Sequence, residues 1–198
     1  MPESPKNPEP SKNAAKPAPA RRLLDTASAL FAEHGIRAVG IDRILAEAGV
    51  ARASLYSSYG SKDALVLAYL DELDKHDRQR WHAAVETLDE PVAKILAFFD
   101  LAMQSAPKKN FRGCQYANAA TEFPREPIEP VVAHRRWLLS TLVELLDLAG
   151  ATEPDSVARR VQLIYDGALA GSKFEHSVES ITLGREMAAA IIEAHLPH

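Results

Sequence analysis

The chain has 198 residues, a formal net charge of −4 at pH 7 and a single cysteine. Hydrophobic residues make up 46% of it, which is ordinary for a globular protein, and no apolar run reaches the ~18–20 residues that a membrane helix needs. These values exclude a membrane-spanning protein and an intramolecular disulfide. With no apolar signal segment near the N-terminus, they predict a cytoplasmic protein without a membrane partner.

The charge is unevenly distributed along the chain. Residues 1–62 hold nine Lys/Arg and six Asp/Glu, whereas the remainder holds fourteen and twenty-one. A basic end joined to an acidic body is typical of a DNA-contacting end on another domain, although surface charge varies for many reasons. Within that end, residues 1–20 are rich in Pro, Lys, Ala and Ser, which predicts a disordered tail. It is either a solvated tail or an arm that reaches DNA through its basic residues and the two that follow, Lys6, Lys12, Lys16, Arg21 and Arg22.

Three helices are predicted directly after the tail. The first covers residues 21–34. The second, over residues 41–48, has one apolar face formed by Ile41, Ile44, Leu45 and Ala48. Gly49 follows it and can take the left-handed conformation that ends a helix. A third helix over residues 52–58 begins at once, and two short helices around such a turn predict a helix-turn-helix, whose second helix enters the DNA major groove.

The rest of the chain has apolar residues at helical spacing and no long alternating segment. It predicts six more helices, one from near Ser61 to about Leu88, one from Pro91 past Met103, and others over 114–122, 131–149, 154–169 and about 177–196. A loop over 105–113 and a proline-rich connection over 124–130 separate some of them. The fold class is therefore predicted to be all-α, with about nine helices.

Four short motifs mark the N-terminal region. They are FAEHG at residues 31–35, AGV at 48–50, SLY at 54–56 and SKD at 61–63, the last shortly after an aromatic residue, Tyr59. On these motifs, residues 22–66 resemble the TetR/AcrR family of bacterial transcription regulators. The resemblance implies a three-helix DNA-binding head over residues 21–66, an all-α ligand-binding and dimerisation body over residues 67–198, and a homodimer.

The third helix supplies most of the expected DNA contacts. Its packing residues leave a polar face outward, on which Arg52 is the one side chain able to read a guanine edge bidentately. The resemblance implies that Tyr56 donates to a backbone phosphate, and Lys62 lies at a helix N-terminus where a phosphate would dock. Ala51 is a poor N-cap, and Gly40 stands where the family often has Thr, so fewer direct contacts are expected. The predicted DNA-binding residues are Arg52, Ala53, Ser54, Tyr56, Ser57 and Lys62.

Two C-terminal segments suit dimerisation. One has a small-residue surface, Gly167, Ala168, Ala170 and Gly171, and the other an apolar stripe, Leu183, Met187, Ala188, Ile191 and Ile192. Two such helices from each subunit would form a four-helix bundle. Both stripes are also compatible with an entirely intramolecular core, and the family resemblance favours the dimer.

A ligand pocket is expected among the fourth to eighth helices. Aromatic side chains with a few polar groups are typical of a small-molecule cavity. The candidates for its wall are Phe99, Met103, Cys114, Asn118, Glu122, His134, Trp137 and Tyr165. Each could instead be an ordinary core residue, although Asn118, Glu122 and His134 would need polar partners if buried.

Enzymatic function finds no support in the sequence. We find no GxGxxG, Walker, GxSxG or HExxH motif, and the seven histidines are scattered, so no cofactor, metal site or catalytic residue is predicted. The sequence instead predicts a ligand-responsive transcription regulator, a repressor that binds a palindromic operator as a dimer and is released by an unidentified small molecule. The alternatives are an all-α small-molecule-binding protein or enzyme with a vestigial helix-turn-helix, and a structural dimerisation module.

Overall fold

The computed structural model describes residues 18–124 and 127–197. Over these residues the chain forms nine α-helices, one short 3₁₀ helix and no strand. In chain order they are α1 Pro19–His34, α2 Ile41–Ala48, α3 Arg52–Tyr59, α4 Lys62–Val85, α5 Pro91–Ser105, the 3₁₀ helix Pro107–Lys109, α6 Gln115–Glu122, α7 Glu129–Leu148, α8 Pro154–Glu175 and α9 Glu179–Glu193. The predicted all-α fold is confirmed, while Lys6, Lys12 and Lys16 of the predicted tail lie outside the described residues.

Local signals explain most helix ends. Gly49 adopts φ 61° and ψ 44° between α2 and α3, the left-handed conformation expected of it. The Ser61 hydroxyl caps α4 by accepting a hydrogen bond from the Ala64 amide at 3.0 Å. Several ends differ from the sequence prediction: α4 ends at Val85 rather than near Leu88, and α9 spans Glu179–Glu193 rather than about 177–196. α7 begins at Glu129 rather than at residue 131, because Pro130 lies in the first turn, where a missing amide proton costs nothing. α8 continues to Glu175, past the predicted residue 169.

Two apolar clusters form the core. One lies mainly in α1 to α4 and is centred on Leu23, Ile44, Leu55 and Leu65, all fully buried. It also includes Tyr116 and Ala119 of α6 and Val131 of α7, so the apolar core of the head contains residues beyond residue 66. The second cluster fills the body between α4, α5, α7, α8 and α9. The domain division at residue 66 thus stays a prediction.

The last two helices pack closely within one subunit. A methyl group added at Gly184 of α9 would lie 2.7 Å from the Ala168 Cβ of α8, so this glycine permits the close approach. Ala188 and Ile192 are also fully buried inside the subunit. These members of the two predicted dimerisation stripes belong to the subunit core. Leu183, by contrast, is 58% exposed.

Among the described residues, no helix is both long enough and apolar enough to cross a membrane.

Candidate functional site

The outward face of α3 carries the predicted DNA-contacting residues. Leu55 is fully buried and anchors the helix in the head, while Tyr56 is 47% exposed. Arg52, Ala53 and Ser57 are exposed, and Ser54 is half-buried. The structure therefore brings most of the predicted group together on one accessible helix surface, as the sequence spacing requires. Their contacts with DNA stay a prediction.

Arg52 already has a partner in this structure. Its guanidinium donates to the carboxylate of Asp42 in the first turn of α2, and both side chains are largely exposed. An exposed ion pair is worth only about 0–1 kcal/mol. Such a pair sets the resting orientation of Arg52 without preventing the guanidinium from turning to a base or a phosphate.

Lys62 has an internal contact that the sequence did not predict. Its ammonium donates to the Ile36 carbonyl at 2.8 Å and lies 5.9 Å from the centroid of the Phe31 ring. It is thus neither a free surface lysine nor wholly committed to DNA. An ammonium has three donors, so one bond to Ile36 leaves capacity for a phosphate.

Three contacts from the start of α1 hold α3, its turn and α4 in place. The Tyr59 hydroxyl donates to the Ala20 carbonyl at 2.8 Å, and burial raises the pKa of this phenol. Arg22 donates to the Gly49 carbonyl at 3.2 Å, and Arg21 pairs with Glu72 of α4 at 2.7 Å. Arg21 and Arg22 belong to the DNA-reaching arm that was one of two alternatives for the tail. In this structure they tie α1 to the turn and to α4, and a contact with DNA stays a prediction.

A cavity of about 110 Å³ lies in the body, between the apolar core and the head. Of the eight predicted ligand-binding residues, four line it: Cys114, His134, Trp137 and Tyr165. Phe99, Met103, Asn118 and Glu122 do not line it. An apolar cavity of about 150 Å³ holds benzene, so a single ring is the upper limit of what this smaller space takes.

The four residues away from the cavity have other partners. Phe99 is buried core and meets the Tyr165 ring edge-on at 5.1 Å. The Met103 sulfur accepts a hydrogen bond from the Thr182 hydroxyl at 3.3 Å. Asn118 donates to the Arg112 carbonyl and accepts from Lys173, both at 3.0 Å. The sequence correctly marked Asn118 as needing partners, but those partners are protein groups.

Aromatic rings form one side of the cavity. Trp81 stacks on Phe98 with ring centroids 5.0 Å apart, and Trp137 meets both rings edge-on. Tyr165 completes the group at 6.4 Å from Phe98, and burial raises the pKa of its hydroxyl. Both tryptophans of the chain therefore lie in the cavity wall.

Hydrogen-bonded polar groups form another side. The Tyr116 hydroxyl donates to Asp77 at 3.0 Å, and its ring stacks on His134 at 3.7 Å. The Nδ1 atom of His134 lies 2.8 Å from an Asp74 oxygen. Burial lowers the pKa of His134 despite the opposing effect of Asp74, so the ring is neutral near pH 7 and donates from Nδ1.

Cys114 lies at the start of α6 and in the cavity wall. Its sulfur accepts a hydrogen bond from the Ala117 amide at 3.4 Å and so takes the N-cap position. Burial raises the pKa of the thiol, which keeps it protonated and unreactive. This environment agrees with a small, partly buried packing residue more than with a nucleophile. Within residues 18–124 and 127–197, no group of three or more His, Cys, Asp or Glu is arranged to hold a metal ion.

The head is joined to the body by two side chains from the segment around α6. The Glu122 carboxylate accepts hydrogen bonds from the amides of Ile36 and Arg37, at 3.1 and 2.5 Å. Arg112 donates to the Glu33 carbonyl at 2.8 Å. We call these bonds the α1 clamp. Sequence reasoning placed Glu122 in the ligand pocket and missed Arg112, because a basic residue in an irregular loop carries no periodic signal.

Comparison with known proteins places this architecture among regulators. Residues 23–69 match the family model described as bacterial regulatory proteins, tetR family. The transcriptional regulator BetI of Agrobacterium fabrum is 30% identical over 182 residues, covering 88% of this chain and 85% of that protein. LmrA of Bacillus subtilis is 26% identical over 156 residues, covering 76% and 81%.

Solved structures agree over nearly the whole length. A TetR-family transcriptional regulator from Streptomyces coelicolor is 37% identical, with 90% of this chain and 89% of that chain covered and a TM-score of 0.78. A putative regulator of the same family from Streptomyces avermitilis is 25% identical, with 90% and 98% covered and a TM-score of 0.81.

A helix-turn-helix head on an all-α body defines a DNA-binding regulator of transcription. More particularly, the chain belongs to the TetR family of bacterial transcription regulators. The relatives reported above are named as transcription regulators, which are not enzymes. This disfavours the alternative of an enzyme with a vestigial helix-turn-helix.

Proposed function

We propose that this regulator is a repressor that binds a palindromic operator as a homodimer and leaves it when a small molecule occupies the body cavity. The observation that carries the proposal is the route from the cavity to the head. Arg112 contributes to the cavity wall and also holds the last turn of α1. A ligand in the cavity therefore has a direct physical means of acting on the DNA-binding helices.

The proposed DNA contacts divide into backbone and base contacts. Tyr56 and Lys62 hold phosphates, which positions the head without reading sequence, and Ser54 adds to them. Arg52 leaves Asp42 and reads a base edge in the major groove, and Ala53 and Ser57 lie against the bases beside it. With one long base-reading side chain per head, much of the specificity comes from the spacing of two heads.

A dimer answers that need. Two half-sites contribute roughly additive binding energies when the recognition helices lie one DNA turn apart, ~34–36 Å. The exposed apolar residues of the last two helices support such an assembly, namely Leu163 and Phe174 on α8 and Leu183 and Met187 on α9. Pairing α8 and α9 across a twofold axis would remove these side chains from water in a four-helix bundle.

The proposed response to ligand is a shift between two populations. In one, the spacing of the heads matches successive major grooves, and in the other it does not. The ligand shifts the balance by no more than its difference in affinity for the two states. To change a 99:1 population to 1:99, that difference must reach about 10⁴-fold.

An electrophoretic mobility shift with the DNA upstream of the protein's own gene tests the proposal. We expect a sequence-selective shift that weakens steeply with salt, because phosphate contacts release counterions. Arg52→Ala tests the base-reading role of this side chain, because it should relax the preference for one operator base pair. No selective, salt-sensitive shift there or at any genomic site would overturn the repressor proposal, and an unchanged base preference in Arg52→Ala would overturn its base-reading role.

A further inference from the structure

The charges around the cavity are unbalanced. Its wall contains three cationic side chains, Arg80, Lys109 and Arg112, and one carboxylate, Asp77. That carboxylate is already engaged, because it accepts from the Tyr116 hydroxyl at 3.0 Å and lies 3.6 Å from Arg80. Within the described part of the chain, neither Lys109 nor Arg112 belongs to an ion pair, although the Arg112 guanidinium and the Glu122 carboxylate both lie beside Gly35. The wall therefore contains more positive than negative charge, with Lys109 and Arg112 not held by a carboxylate.

The aromatic side of the cavity is less available to a cation. Rings of this kind attract cations through their faces, but the Trp137 face already has the Arg78 guanidinium 4.8 Å from its centroid. Trp81 and Phe98 are stacked on each other. What remains open is apolar ring surface next to positive charge, in a space of about 110 Å³. That combination suits a small aromatic acid.

Arg112 has a second contact that a ligand would disturb. Its bond to the Glu33 carbonyl satisfies one of the unpaired carbonyls at the C-terminal end of α1. A hydrogen bond to a carboxylate is roughly twice as strong as one between neutral groups, so a ligand carboxylate would compete for the same guanidinium. The other half of the α1 clamp, Glu122 with the Ile36 and Arg37 amides, would then hold the head alone.

We infer that the cavity binds a small aromatic carboxylate whose anionic group takes Arg112 from the Glu33 carbonyl and thereby loosens the α1 clamp. The aromatic ring of the ligand packs against Trp81, Phe98 and Trp137, and Lys109 adds to the attraction of the anion. This inference rests on the proposed function in that the cavity is taken as the effector site. It goes further by naming the chemical class of ligand and the bond that transmits its binding.

The first test measures binding to the full chain through tryptophan fluorescence, since both tryptophans line the cavity. The probes are benzoate, its neutral isostere benzamide and the cation phenyltrimethylammonium, at constant ionic strength. We expect benzoate to bind at least about tenfold more tightly than either of the others, as one charge-assisted bond predicts. No benzoate binding, or benzamide binding as tightly, would overturn the inference.

Variants assign the preference to Arg112. Arg112→Gln should remove most of the preference for benzoate over benzamide, with the remainder due to Lys109, while Arg112→Lys, which keeps the charge, should retain more of it. Arg136→Gln is the matched control, because Arg136 is exposed and outside the cavity wall. Thermal unfolding establishes that each variant is folded. If a folded Arg112→Gln bound benzoate like the unchanged protein, Arg112 would not be the anion's partner.

Hydrogen exchange tests the transmission step. Benzoate should accelerate exchange of the Ile36 and Arg37 amides in the unchanged protein, and in Arg112→Gln these amides should exchange fast without ligand. Bound benzoate with unchanged exchange would overturn the transmission. The operator shift is measured separately without ligand. If that shift is absent while Arg112-dependent benzoate binding is present, the proposed function fails and the ligand class stands. If the operator shift is present but benzoate binding does not depend on Arg112, the inference about the ligand fails and the proposed function stands.

Discussion

At the residue scale, two tyrosines of α3 have opposite environments. Tyr56 is 47% exposed, whereas the Tyr59 hydroxyl donates to the Ala20 carbonyl at 2.8 Å. Tyr56→Phe should therefore weaken binding to every DNA sequence by roughly tenfold, the value of a hydrogen bond to a charged group, and leave stability unchanged. Fluorescence anisotropy with operator and random DNA measures the first effect, and urea unfolding measures the second.

Tyr59→Phe is the matched control on the same helix. It removes a bond inside the head, so it should lower the free energy of unfolding by about 1 kcal/mol. Because Tyr59 fixes α3 against α1, we expect any loss in DNA affinity to come only through the loss in stability, and not through a lost DNA contact. Equal effects of the two substitutions on stability would mean that Tyr56 is a packing residue.

Lys62 combines both kinds of role in one side chain. Lys62→Ala removes the bond to the Ile36 carbonyl and the cation beside Phe31, and we expect it to cost about 1 kcal/mol of stability. If Lys62 also neutralises a phosphate, the slope of log affinity against log salt falls by ~1 per head. A lower stability with an unchanged slope would restrict Lys62 to the interior of the head.

These residues also indicate what a sequence can predict at this scale. The outward face of α3 follows from helical spacing within eight residues, so Arg52 and Tyr56 could be placed correctly. The partner of Lys62 is 26 residues away, and the partner of Arg112 is 79 residues away. Such contacts depend on how helices pack, which local periodicity does not contain.

At the element scale, helix ends were more predictable than the cavity. The ends depend on neighbouring residues, such as the Ser61 cap and the Gly49 turn, and these signals are local. The cavity depends on which faces of five helices meet. The sequence pointed to Trp137 and Tyr165, which line the cavity, but also assigned Phe99 to the pocket, although the packing of α5 buries it in the core.

The packing of α8 against α9 gives a sharp element-scale prediction. In Gly184→Ala the new methyl would lie 2.7 Å from the Ala168 Cβ and 3.4 Å from Phe99, and a Cβ on a helix cannot swing away. The two helices must separate, so we expect a loss of about 1–3 kcal/mol in urea unfolding, as for an overpacked core.

Gly167→Ala is the corresponding control on α8. No atom lies within 4 Å of a methyl group added there. Gly167 lies on the exposed face of α8 proposed for dimerisation, so the comparison is made on the monomeric subunit, in which alanine at this helical position should gain about 0.5–1 kcal/mol. If Gly184→Ala were as stable as the unchanged protein, the close approach of α8 and α9 would be wrong.

At the scale of the whole molecule, the uneven charge is consistent with the division into head and body. The charge surplus of the first 62 residues comes with the helix-turn-helix, and the acidic remainder carries the body. The structure adds the connection between them, since the α1 clamp and the shared apolar cluster join the two parts. A regulator needs such a connection, because binding in one part must change the other.

Dimerisation is the remaining requirement, and the exposed apolar face of α8 and α9 makes it testable. Leu183 is 58% exposed and Met187 is 49% exposed, so a charge there should not disturb the subunit core. We expect Leu183→Glu to remain folded by circular dichroism, to sediment as a monomer and to lose at least about 100-fold in operator affinity, because one half-site then binds alone. Leu148→Glu on α7 is the matched control: it is also an exposed leucine, at 74%, but lies outside the proposed interface. A folded Leu183→Glu that still sediments as a dimer would move the interface away from α9, and the spacing of the two heads would need another origin.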